Sequence, residues 1–206
     1  LNNIVKKVEL DIYQRSFEGE SCNTVEKILN NLFNSTSTSP EYKQFIQDVL
    51  PFVNTSVEVK WGAGLPNGFY ETTDGRGIIQ LNSRMYPDLM DKYNDDFSKA
   101  QEKFREIVFE EILHSITVRE LKQHLEFYNN ETGEYAVKPD APLYITKLVK
   151  AYELAREAVP YDSNDTSTYY SKNIFEFVAG MYVAEDYRDR LESSEKGFVK
   201  RFLESL

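Results

Sequence analysis

The chain has 206 residues, 41% of them hydrophobic and 28% charged, enough to bury a core, and we expect a single domain over 1–206. Its formal net charge is -10, and it carries no Lys/Arg cluster that would neutralise a row of phosphates, so neither nucleic acid nor an anionic membrane is an expected partner. No apolar run approaches the roughly 18 residues of a spanning helix, the start LNNIVKKVEL lacks a signal-peptide core, and the single cysteine, Cys22, excludes an internal disulfide and is expected as a small buried hydrophobe; the expected location is cytoplasmic.

The first part, 1–55, reads as helical. TVEKILNNLF places Val25, Ile28, Leu29 and Leu32 on one helical face, and EYKQFIQDVLPFV repeats the spacing with Tyr42, Phe45, Ile46 and Val49, which predicts a helical hairpin. From 56 the period falls to two. SVEVKW alternates, GLPNG is a turn, GFYETT an extended arm, DGRG another turn and GIIQLN a short strand, which together predict a small antiparallel sheet with its edge strand around 77–82. Tyr86-Pro87 and KYNDD lead into a long helix over about 96–126, with candidate N-caps at Asn94 to Asp96. A loop over 128–141 precedes a helix that Pro160 stops. NIFEFVAGMYVAEDYRDRLE and KGFVKRFLESL read as two final helices, the last of them assigned to 191–206. The fold class is α+β, mostly helical with one small sheet.

The chemistry concentrates in FEEILHS at 109–115. On a helix, residues four apart share a face, so Glu110 and His114 can address one ion while Glu111 reaches an adjacent water. That is the layout of an H-E-x-x-H metal helix with glutamate at the first position; carboxylates beside a histidine on a solvated face give the same spacing without any metal. Glu176 stands among Ile174, Phe175, Phe177, Val178, Ala179 and Gly180, where a carboxylate is costly to bury unless something pairs with it. Either a metal is that partner, or Glu176 occupies the helix's wet side. His124 lies too far along a continuous helix to share an ion with His114 and reads as an exposed helix residue. A metzincin extension fails at Thr117 and Glu120, and a di-iron bundle lacks its second Glu-x-x-His. One of Tyr169, Tyr170 and Tyr182 is a candidate to donate a hydrogen bond to an oxyanion, although packing is the expected role of all three.

FEEILHSIT, followed about sixty residues later by YYSKNIFEFVAGMY, resembles the zincin-like peptidase domains of tailed bacteriophages and mobile elements, which carry an H-E-x-x-H helix and a later Asn-x-x-Glu-Phe-Val-Ala helix. The likeness spans roughly residues 76–190, and Asn173, Glu176, Phe177, Val178 and Ala179 all match the second motif. It implies a zincin-like fold, zinc held by Glu110, His114 and Glu176, Glu111 as general base, and a peptide or protein substrate. Glu110 departs from the family's histidine. The resemblance therefore leaves three alternatives: a metallopeptidase with a weakened metal site; an inactive pseudo-peptidase serving as a structural module, virion-associated and in contact with other virion proteins; or an active enzyme in which Glu110 is an engineered substitution.

Overall fold

Val25, Ile28, Leu29 and Leu32 all lie buried on α1 (Val25–Asn34), as a single apolar stripe requires. The computed structural model describes residues 23–34, 38, 40–54, 57–64, 68–73, 76–94, 96–129 and 131–194. Cys22 lies outside them, as does the C-terminal helix expected over 191–206 from residue 195 onward. After α1 come α2 (Pro40–Val49), a 3₁₀ turn (Leu50–Phe52), β1 (Glu58–Gly62), β2 (Gly68–Thr73), β3 (Arg76–Asn82), α3 (Met85–Lys92) and α4 (Phe97–His124). Then follow β4 (Leu125–Tyr128), β5 (Tyr135–Val137), α5 (Leu143–Ala158), a 3₁₀ segment (Thr166–Ser171), α6 (Ile174–Val183) and α7 (Glu185–Ser193). The described chain is mostly helical with little sheet, an α+β composition. By backbone proximity it divides inside α4 into two compact units, Leu1–Ile116 and Thr117–Leu206. Among the described residues no helix is long and apolar enough to cross a membrane.

In the first unit the sheet has the order β1-β3-β2. It is not the antiparallel sheet expected. β2 pairs antiparallel with β3, but β1 runs parallel to β3, from Glu58 opposite Ile78 to Gly62 opposite Asn82. The strand over 77–82 is therefore central rather than an edge. The physical reason lies in its composition: Ile78, Ile79 and Leu81 make β3 the most apolar strand, and a strand flanked on both sides shields such residues best. The outer side of β1 is bonded at its start, where the Val59 amide donates to the Asn23 carbonyl at 3.0 Å. Among the described residues no strand pairs with the outer edge of β2.

Asp96 starts α4. Its carboxylate accepts from the Lys99 amide at 3.2 Å and its carbonyl from the Ala100 amide at 3.0 Å, the pattern of an N-cap. The helix buries Ala100, Phe104, Val108, Phe109, Ile112 and Leu113. Phe104 stacks on Tyr86 of α3, with ring centroids 4.8 Å apart, and on Trp61 of β1 at 6.2 Å; Phe109 meets Phe45 of α2 edge-on at 5.3 Å. Three aromatic contacts thus tie the helix to the hairpin, the sheet and α3. Helix α3 itself was not expected; Pro87 reads only as part of the way into α4. It sits instead in the first turn, where the missing amide costs nothing.

In the second unit α4 ends at His124, not 126, and Leu125 passes directly into β4. β4 and β5 form a short antiparallel hairpin inside the stretch expected as helix end and loop. The Asn129 side chain accepts from the Glu131 and Thr132 amides, Gly133 takes a φ of 71°, and Arg156 of α5 donates to the Thr132 and Gly133 carbonyls. Local turn chemistry, invisible to periodicity, sets this hairpin. Tyr152 of α5 lies buried between Tyr135 and Phe177. The run 173–192, read as one helix, breaks at Ala184, whose φ and ψ of -107° and 93° are extended. Tyr187 of α7 shares a 2.9 Å hydrogen bond with Ser171, and burial pushes its phenol up to about 12.

Candidate metal centre

Glu110, Glu111 and His114 stand on α4 within the first unit. Four residues advance a helix by about 6 Å and 40° past a full turn, so Glu110 and His114 point the same way. His114 Nε2 lies 4.0 Å from Glu110 Oε1, with both side chains largely withdrawn from solvent. Glu111, one position on, is 5% exposed. Its carboxylate lies against the backbone of β2 at Gly68: an ideal Cβ on that glycine would fall 2.6 Å from Glu111 Oε1 and 2.7 Å from its Cγ. Next along, the Ser115 hydroxyl donates to the Ile112 carbonyl at 2.6 Å, satisfying itself within the helix.

Glu176 is half-buried at the third position of α6. The start of that helix is fixed by Asn173, whose side-chain oxygen accepts from the Phe175 and Glu176 amides at 3.0 Å each. The Asn-x-x-Glu spacing is thus an N-cap spacing: the asparagine sets where the helix begins and hence which way the glutamate leaves it. Asn173→Ala is expected to cost about 1 kcal/mol, within the usual range for a lost N-cap, as measured by urea unfolding.

One ligand atom from each of Glu110, His114 and Glu176 lies within 4.8 Å of the others, so this cluster can hold a metal ion. The donor set fits. Carboxylate oxygen and imidazole nitrogen both bind zinc at about 2.0–2.2 Å, which places two tetrahedral ligands roughly 3.4 Å apart, somewhat closer than the 4.0 Å between Glu110 and His114 and the 4.8 Å that bounds the cluster. Two carboxylates and a neutral imidazole also match the charge of a divalent cation, whereas carboxylates gathered without a counter-charge repel one another.

The remaining expectations resolve differently. His124 is not the exposed helix residue expected: it is half-buried at the end of α4, 3.2 Å from Glu120 and edge-on to Tyr144, and forms no part of the cluster. The Tyr144 hydroxyl donates to Glu120 at 2.5 Å, and that bond holds the Glu120 carboxyl below its ordinary range. Tyr170 packs on Gly180 and Tyr187, while Tyr182 is 60% exposed. Gly68 was not expected at the site at all. It reads as part of the GLPNG turn, and the absence of a side chain leaves no chemical signal. Comparison of the chain with protein-family models, with curated proteins and with solved structures found no match to any of them.

Proposed function

We propose that the chain is a zincin-like metallopeptidase domain that hydrolyses peptide bonds. The observation that carries this reading is the gathering of Glu110, His114 and Glu176 within 4.8 Å, with Glu111 beside them and 5% exposed on the same helix. Those three side chains would hold zinc, the metal for which a mixed imidazole and carboxylate set is common. When bound, the ion supplies Lewis acidity and a more acidic water, less of each with two anionic ligands than with one. Glu111 takes the proton of the attacking water onto a carboxylate oxygen and returns it to the amine nitrogen as the peptide bond breaks. The outer edge of β2 offers backbone donors and acceptors on which an extended peptide would align as an added strand. The edge strand was expected at 77–82, but β3 is central and β2 lies at the edge.

Glu110 favours a second reading, in which the fold persists as an inactive structural or interaction module, including a virion component. Metal content separates the two. Elemental mass spectrometry of the purified protein is expected to find about one zinc per chain, lost in both His114→Ala and Glu176→Ala. Metal-free protein with an unchanged melting temperature in zinc would end the peptidase reading and leave the module.

A further inference from the structure

We propose that Gly68 is a positioning residue for Glu111: the missing side chain at the start of β2 is what gives the general base its place. This inference rests on the peptidase reading for Glu111's role, although the contact itself does not depend on it. Three glycines of the sheet region show why Gly68 stands apart. Gly64 has a φ of 78° and nothing within 4 Å of an added Cβ, so backbone conformation explains it. Gly77 would press its Cβ on Tyr70 and Val57 at 3.0 Å, a packing reason. At Gly68 the three nearest atoms all belong to Glu111: Oε1 at 2.6 Å, Cγ at 2.7 Å and Cδ at 3.0 Å. Its φ is not positive, so the backbone there accepts alanine, and the Glu111 side chain is what stands nearest.

Which partner yields is decided by stiffness. Gly68 is laddered to β3 opposite Leu81, whereas the Glu111 side chain turns about three bonds. A methyl at 68 therefore displaces the carboxylate and leaves the strand in place. The three atoms nearest the added methyl all belong to Glu111 and none to Glu110, His114 or Glu176, so metal retention and base position become separable.

The test is Gly68→Ala in the full chain, with three readouts. Nuclear Overhauser contacts between the Gly68 α-protons and the Glu111 γ-protons are expected in the wild type. The Glu111 side-chain carbon shifts are expected to move in Gly68→Ala. Zinc per chain should stay at the wild-type level while kcat falls by about 10²-fold, the usual consequence of misplacing a catalytic group by an ångström. In a Glu111→Gln background the same change should subtract nothing further. If Gly68→Ala does not fold, Gly68→Ala/Glu111→Ala, which removes all three contacting atoms, should fold. Failure of both, unmoved Glu111 resonances, or an undiminished kcat would overturn the inference while zinc binding and wild-type turnover leave the peptidase reading standing. A wild type with the contact but without zinc or turnover would instead overturn the peptidase reading, and the catalytic part of this inference with it.

Discussion

Glu111→Gln is expected to lower kcat for peptide hydrolysis by about 10²–10⁴-fold, the usual contribution of a general acid–base group, with zinc content and melting temperature unchanged. The substitution exchanges one oxygen for an amide nitrogen of the same size. At 5% exposure, against the strand at Gly68, that conservation of shape matters more than it would at the surface. What disappears is the capacity to take up a proton near neutral pH. The peptidase reading therefore requires turnover on an unfolded protein substrate, followed by mass spectrometry of its fragments, to collapse in the variant while KM stays near its wild-type value. Residual activity equal to the wild type would remove Glu111 from the chemistry. A fall in zinc content instead would make Glu111 a ligand rather than a base.

Phe104→Ala is expected to destabilise the fold by about 3–5 kcal/mol, the range for emptying a buried phenylalanine site. Phe104 is fully buried and stacks on both Tyr86 and Trp61, so truncation removes two ring contacts and opens a cavity between α4, α3 and β1. Against the roughly 5–15 kcal/mol of a typical domain, such a loss is a large share of the total. The midpoint of urea unfolding should fall in proportion, and Phe104→Leu should recover much of the difference. A cost under about 1 kcal/mol would mean that the sheet and α3 are not held to α4 through this side chain.

Where the fold was legible, a single repeated spacing carried the message. Val25, Ile28, Leu29 and Leu32 announce α1, and Asp96 marks the start of α4, because each signal is confined to a few neighbouring residues. Where it was not, two signals competed. Pro87 suppresses the helical pattern of 85–92 although a first-turn proline is harmless, and the helical run of α4 hides the onset of β4 at Leu125. Strand order has no local signature, so the central place of β3 could not be read from GIIQLN. The site divides the same way. Glu110, Glu111 and His114 follow from helix geometry, but Glu176 lies more than sixty residues on, and no periodicity reaches that far. Its apolar neighbours marked it as a carboxylate in want of a partner, and only the sequence resemblance tied it to the other two. Gly68, having no side chain, offered nothing to read.

The cap at Asn173 also limits how this region can change in length. Because the Asn173 oxygen holds the amide of Glu176 itself, a residue inserted between the two would turn the carboxylate by about 100° around the helix and slide it about 1.5 Å along the axis. Deletion would do the reverse. The turn before the 3₁₀ segment is tied by bonds of its own: Asp165 accepts from the Ser167 amide, and Asp162 is hydrogen-bonded to the Thr168 hydroxyl through both its amide and its carbonyl. Of these spacings the two-residue gap between Asn173 and Glu176 is the one that aims a carboxylate of the cluster, a ruler that the helix enforces.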